Sequence, residues 1–365
     1  MINWFKPFLT DLEKSYVQDA LNSTWISGGK YVDRFEDELA KAIDTEHVIT
    51  TSNGTASLDL ALKILGIKQN DEVIVPGFTF AAPANMILNV GAKPVYVDIC
   101  PNTWLIDPKK IESNITNKTA AIIPVHIYGN ICDMSAIQTI AKKHRITIIE
   151  DTAEAIFSRY QNKYAGTIGD VGCFSFQATK TITTGEGGAI SIRSTHLKKL
   201  AKLYRSHGMG EKRYWHEVPG HNFRLTNLQA ALGCAQLVKL DTILGNKRRV
   251  YDRYVNNLKD VSGLKLQQIT AGCDPIMWAF AVRIDTEALE CSRDTIIYRL
   301  LELGIETRPG FYPFSEMPIY GAPKLEQSIK VSQEIISLPS YATLSDTEID
   351  DVCERFINLL QTCKR

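Results

Sequence analysis

The 365-residue sequence predicts an α/β protein: a mostly parallel central sheet with helices on both faces, followed by a small C-terminal α+β domain. Three observations predict it. From about residue 46, short β-branched runs alternate with amphipathic helical stretches. Polar, aromatic or glycine residues follow each of these runs, as they do where strand ends open on a ligand crevice. A second, shorter alternation begins near residue 277.

The first section reads as strands "HVIT", "EVIVP", "KPVYVD", "AAIIPV" and "ITIIED". Between them lie the helical stretches "TASLDLALKILG", "AAPANMILNVG", "DPKKIESNI" and "MSAIQTIAKKH", with Gly, Asn and Pro at their ends. Strands joined through helices imply right-handed crossovers and parallel pairing. Upstream, two helices flank "STWISGGKYV". After "VGCFSF" and "GAISI", a long helical region is expected from "THLKKLAKLY" to "NKRRVYDRYVNNL". The second section gives "MWAFAVRI", the helix "RDTIIYRLLELG", "IETRPGF" and the terminal helix "TEIDDVCERFINLLQ". The expected division is residues 1–245 and 246–365.

Composition narrows the function. Lys plus Arg equals Asp plus Glu at 41 each, so no net field favours nucleic acid or an anionic membrane as partner. Apolar runs such as "AAIIPVHIY" are strand-sized and too short to cross a bilayer. The beginning, "MINWFKPFLTDLEKS", lacks the pattern of a secretory signal. Eight scattered cysteines without a CxxC pair argue against a zinc site and lead to the expectation of reduced thiols in a cytoplasmic enzyme.

Three segments carry chemistry. In "TSNGTASLDL" a strand, a glycine turn and a helix start put free N–H groups and a positive dipole together. This is an anion site in principle, although a plain helix cap at Asn53 or Thr55 reads equally well. "IIEDTAEA" sets Glu150 and Asp151 at the end of an apolar strand, where a carboxylate needs a partner: a structural arginine, or the cationic ring nitrogen of a cofactor. "CFSFQATKTITTGEGG" brings Lys180 to the end of a buried strand, with Gly185, Gly187 and Gly188 after it. A desolvated lysine amine is a nucleophile toward carbonyls, and glycines let the chain approach something closely. The alternative is a lysine that snorkels to solvent. Amine, carboxylate and anion site together are what a pyridoxal phosphate enzyme requires.

These segments, with "STWISGGKYVDRFEDELA", "NDEVIVPGFTF", "GAKPVYVDI", "VHIYGNICDM", "GTIGDVGCFSF", "RSHGM", "RYWHEVPGHNFRLTNLQAALG" and "ETRPGFYP", resemble the DegT/DnrJ/EryC1/StrS family of nucleotide-sugar aminotransferases along essentially the whole chain. The resemblance implies the fold-type I, aspartate aminotransferase-like architecture. It also implies pyridoxal 5'-phosphate as cofactor, with pyridoxamine phosphate as its amine-carrying form. Lys180 would then form the Schiff base, Asp151 pair with the pyridinium nitrogen, and Glu154 lie near the phenolic oxygen. Gly54, Thr55 and Ser175 would hold the phosphate, and Phe80 would stack on the ring. Asn222 would reach the phosphate of a neighbouring subunit, making a homodimer with a shared site. Arg308 would bind the substrate pyrophosphate or the amino donor's carboxylate, or else serve a surface ion pair.

Within the family, "KTITTGEGG", "RYWHEVPGHNFRLTN" and "ETRPGFYP" are most similar to members that use L-glutamate to aminate C4 of GDP-4-keto-6-deoxymannose for surface polysaccharide. A dTDP- or UDP-linked keto-sugar, aminated at C4 or C3, is the alternative; a non-catalytic binding protein is the remote one. Sugar dehydratases of this fold have His where Lys180 stands, which argues against that chemistry here. Two departures bear on the substrate. Phe314 and Ser315 replace the end of a "FYPxH" pattern, and Pro83 stands where relatives have a small polar residue.

Overall fold

The computed structural model describes residues 1–287 and 289–363. Two helices open the chain, α1 (Asp11–Asn22) and α2 (Lys30–Ala42). The alternating section follows as β1 (His47–Thr51), α3 (Gly54–Ile64), β2 (Glu72–Pro76), α4 (Ala82–Asn89), β3 (Lys93–Val97), α5 (Pro108–Ile111), β4 (Thr119–Ile122), α6 (Met134–His144) and β5 (Thr147–Asp151). A small hairpin, β6 (Arg159–Tyr160) and β7 (Lys163–Tyr164), leads to β8 (Val171–Ser175) and β9 (Gly188–Ile192). Then come α7 (Thr195–Arg205), α8 (Asn227–Val238) and α9 (Leu240–Leu258).

The central sheet has seven strands in the order β1-β9-β8-β5-β4-β2-β3. Every pair from β8 to β3 is parallel, and β9 runs against both neighbours. Six strands therefore point one way, and β9 alone runs opposite. The carboxyl ends of the six meet along one edge, and β9 starts there, Gly188 lying opposite both Thr51 and Ser175. β8 and β9 are buried throughout, as a strand covered on both faces requires.

The C-terminal part contains β10 (Leu264–Leu266), β11 (Cys273–Asp274), β12 (Phe280–Ile284), α10 (Arg293–Glu302), β13 (Arg308–Pro309), α11 (Glu326–Glu334), β14 (Ile335–Leu338) and α12 (Asp346–Thr362). β10-β12-β14-β13 form an antiparallel sheet, whose core joins Phe280, Val282 and Ile336 to Tyr254 of α9 and Phe356 of α12. Positions 245 and 246 fall inside α9.

Two expectations are corrected. The region expected to be helical from α7 to α9 is interrupted: residues 206–226 form a looped excursion closed by the bridges Ser206–Asn222 and Met209–His216. Gly208, Pro219 and Gly220 account for it, since Gly208 takes a φ of 69° and proline has no N–H to donate. The cysteines are not all reduced. Cys291 and Cys363 are joined as a disulfide with Cα atoms 5.5 Å apart, and the other six are free. Residues 72 apart in sequence leave no spacing signature; they meet because the end of α12 folds back beside the segment before α10.

Candidate active site

At the carboxyl edge of the central sheet lies a cleft of about 1040 Å³. Among the residues lining it are Gly54, Thr55, Phe80, Asp151, Glu154, Ser175, Lys180 and Arg308, eight of the nine positions the sequence suggested. Seven of them lie at or just beyond the carboxyl ends of β1, β2, β5 and β8, gathered because those strands end at the same edge, and Arg308 comes from β13 of the small sheet. Asn222 is the ninth. It is exposed on the excursion 206–226, does not line this cleft, and accepts a hydrogen bond from Arg224 Nε at 3.0 Å.

Asp151 ends β5 and is only 6% exposed. Ala153 N–H donates to its Oδ1 at 3.1 Å, and among the described residues no other donor or cation pairs with the carboxylate. Burial pushes its pKa up; the Ala153 N–H and the charge of Lys180 oppose that rise. Glu154, three residues further in the turn that follows β5, accepts from Tyr128 N–H at 2.8 Å and lies 3.6 Å from Lys180 Nζ. Burial raises its pKa too, with Lys180 as the strongest opposing influence.

Lys180 follows β8 in a tight turn whose N–H donates to Gln177 O at 2.8 Å. Its side chain is 13% exposed, so it does not snorkel. Its Nζ sits 4.0 Å from the centre of the Trp278 ring. Gly188 lets β9 start against the backbone of Asn53, where a Cβ would stand 2.5 Å from the Asn53 carbonyl carbon.

The start of α3 has the geometry that an anion site would need. The Asn53 side chain caps α3 by accepting from Ala56 N–H at 2.8 Å, so the cap reading holds as well. It leaves the N–H groups of Gly54 and Thr55, and the Thr55 hydroxyl, without acceptors or donors among the described residues. Both N–H groups point from a helix N-terminus, where anions are favoured. A Cβ on Gly54 would come within 2.8 Å of Ser175 Cβ, so glycine is what brings this helix end against β8.

Phe80 is not core: it is 59% exposed and meets Phe311 edge-on at 6.1 Å. Arg308 is exposed, paired with Glu306 at 2.5 Å, and lies over the Trp4 ring at 5.7 Å. Of the departures, Phe314 is fully buried between Tyr96 and Tyr320 and Ser315 does not line the cleft, whereas Tyr312 and Met317 do. Pro83 sits buried in the first turn of α4, outside the lining.

Sequence reasoning missed Tyr128, Trp278 and Trp4. Tyr128 carries a φ of 60° although it is not glycine, and its ring stacks on both Trp278 and Phe311. "HIYGN" and "MWAFAVRI" gave no sign of this, because the contacts join segments about 150 residues apart. Trp4 is carried to the cleft by backbone pairing of Ile2 with Ile305.

The residues fit pyridoxal phosphate. A buried carboxylate without a cation, a lysine amine facing the same space, and a free helix N-terminus match the ring nitrogen, carbonyl and phosphate of that cofactor. The cleft lies at the upper end of the ~300–1,000 Å³ common for small-ligand sites, which leaves room for a second ligand.

Comparison with known proteins agrees. The chain is 40% identical over 356 residues to the GDP-perosamine synthase of Escherichia coli O157:H7, covering 96% of each chain. It is 40% identical over 353 residues to that of Caulobacter vibrioides, covering 95% of each. A Streptococcus pneumoniae protein solved in its PLP form superposes with a TM-score of 0.94 at 28% identity over 99% of each chain. Residues 7–357 match the DegT/DnrJ/EryC1/StrS aminotransferase family, and this chain is a member of that family of PLP-dependent sugar aminotransferases with the fold-type I architecture.

Proposed function

We propose that this protein moves the amino group of L-glutamate to C4 of GDP-4-keto-6-deoxymannose, yielding GDP-perosamine for a surface polysaccharide such as O-antigen. Full-length identity of 40% to two enzymes of that name is the observation that carries the substrate. The transamination itself is supported by the meeting of Lys180, Asp151 and the α3 N-terminus in one cleft.

When bound, pyridoxal phosphate supplies a carbonyl that takes up an amine and a ring that withdraws electrons from the adjacent carbon. Lys180 Nζ provides its covalent attachment and, once displaced, is the base that carries a proton between carbons. Asp151 would accept a hydrogen bond from the ring nitrogen and keep it protonated. Glu154 lies beside the Lys180 amine, and Phe80 would stack on the ring. The N–H groups of Gly54 and Thr55, with Ser175, would hold the phosphate. Arg308, whose guanidinium pairs with Glu306, is the cation at the mouth for an anionic group of substrate.

We infer a cytoplasmic homodimer. The exposed excursion carrying Asn222, with Tyr214 and Trp215 bare to solvent at 74% and 60%, supports a contact with a second copy.

The test is to load the purified protein with pyridoxal phosphate, follow the visible band on adding L-glutamate, then offer GDP-, dTDP- and UDP-linked 4-keto sugars. Restoration of the band by the GDP-sugar, with a C4-amino product by mass spectrometry and no cycle in Lys180→Ala, is the expected result. Restoration only by a dTDP- or UDP-sugar would replace the substrate, and no band at all would remove the transaminase reading.

A further inference from the structure

Trp278 meets the active site from the C-terminal part of the chain, and every polar group it has is engaged. Its N–H donates to Tyr128 O at 2.9 Å and its Nε1–H to Thr179 O at 2.7 Å. Its carbonyl accepts from Lys247 Nζ at 2.7 Å. One ring neighbour is Tyr128, stacked at 12° between planes; another is Trp4, edge-on at 79° with centroids 5.7 Å apart. The indole is 9% exposed and has no freedom to turn. What this pinning holds in place is a π face 4.0 Å from Lys180 Nζ.

Indole is the strongest aromatic partner for an ammonium, and the attraction grows as water is removed. Lys180 has Glu154 at 3.6 Å on another side, and Asp151 acts on it from β5. The other charged side chains lining the spaces beside it are Lys247 of α9 and Lys6 of the N-terminal segment, in the narrow crevice behind, and Glu186 and Arg308 on the cleft wall.

The anchoring is costly. Lys247 is 5% exposed, pairs with no carboxylate among the described residues, and donates its amine to the carbonyls of Trp278 and Ser340, each at 2.7 Å. A buried amine spent on holding the Trp278 backbone is hard to account for if the indole were only filler.

We propose that Trp278 is a further catalytic residue: its ring face holds the Lys180 ammonium in position after that amine has taken a proton from carbon and until it returns it. This rests on the reading of Lys180 as the cofactor-bearing lysine. In the cycle the amine is released, takes a proton from carbon and returns it; the indole receives the ammonium between those two events. Lys180 then neither wanders nor loses its proton to water.

The test uses the cofactor-free protein, so that it does not depend on turnover. Trinitrobenzenesulfonate labels neutral amines. The labelling rate of Lys180, followed by peptide mass spectrometry against pH, gives the midpoint at which the amine loses its proton. In Trp278→Leu the midpoint falls by roughly half to one and a half pH units. Trp278→Phe keeps an aromatic face but loses the Nε1–H bond to Thr179, and its midpoint falls by clearly less. Equal shifts in both variants, or no shift in Trp278→Leu, overturn the proposal. If pyridoxal phosphate fails to protect Lys180 of the unaltered protein from labelling, the reading of Lys180 falls first. Protection with an unmoved midpoint in Trp278→Leu removes the role of Trp278 alone.

Discussion

Glu150 and Asp151 are adjacent in the chain and do unrelated work. Successive residues of a strand face opposite sides of the sheet, so one points back into the protein while the other lines the cleft. Glu150 is wholly buried and accepts from four donors: Gly166, Ile168 and Gly169 N–H at 2.6 to 2.9 Å, and His126 Nε2 at 3.0 Å. The His126 proton sits on Nε2, because its Nδ1 accepts from Cys132 N–H. Glu150 thus ties down the loop before β8. Asp151 has a single donor and a carboxylate open to the cleft. Replacing Asp151 by Asn keeps the Ala153 bond and removes the charge. Loss of a buried ionic partner costs about 2–5 kcal/mol, so turnover should fall roughly 30- to 5,000-fold, with the far-ultraviolet circular dichroism spectrum unchanged.

At the scale of elements, the N-terminus of α3 matters most. Its position depends on Gly54 more than on its cap, since the helix end abuts Ser175 with no room for a methyl group. Gly54→Ala must push α3 and β8 apart. It should destabilise the protein by about 1–3 kcal/mol and weaken pyridoxal phosphate binding more than tenfold. Urea unfolding and a cofactor titration measure these separately. If unfolding changes and cofactor affinity does not, the N-terminus of α3 is not the phosphate site. The glycine was legible in "TSNGTAS", whereas its collision partner 121 positions later was not.

For the molecule as a whole, α9 ties together the approach to β12 and the exit from β14 through Lys247, which holds Trp278 and Ser340 at once. Burial lowers the pKa of Lys247 to about 7, from the 10.5 of an exposed lysine. Below pH 7 both the folded and unfolded chains carry its proton, and the full burial penalty applies. Between the two values the unfolded chain binds a proton that the folded chain does not. Stability therefore rises with pH there, by up to about 1.4 kcal/mol per unit from this group. Urea unfolding at pH 7 and pH 9 should show that rise, and Lys247→Met should lose it. Equal pH dependence in both proteins would mean that Lys247 keeps its proton when folded.

The sequence by itself determined the alternation of strands and helices, hence the parallel sheet. It also determined that chemistry would collect beyond the strand ends, since those ends carry Asp151, Lys180 and the "TSNGTAS" turn. These are local signals: period, punctuation, and a charged residue where an apolar run stops. Only the tertiary structure decided the rest. It turned residues 206–226 into an excursion, paired Cys291 with Cys363, and brought Trp4, Tyr128 and Trp278 to one cleft, with Trp278 against the Lys180 amine. Such contacts arise between segments far apart in the chain, where the stabilisation comes from packing against a partner that no local pattern names.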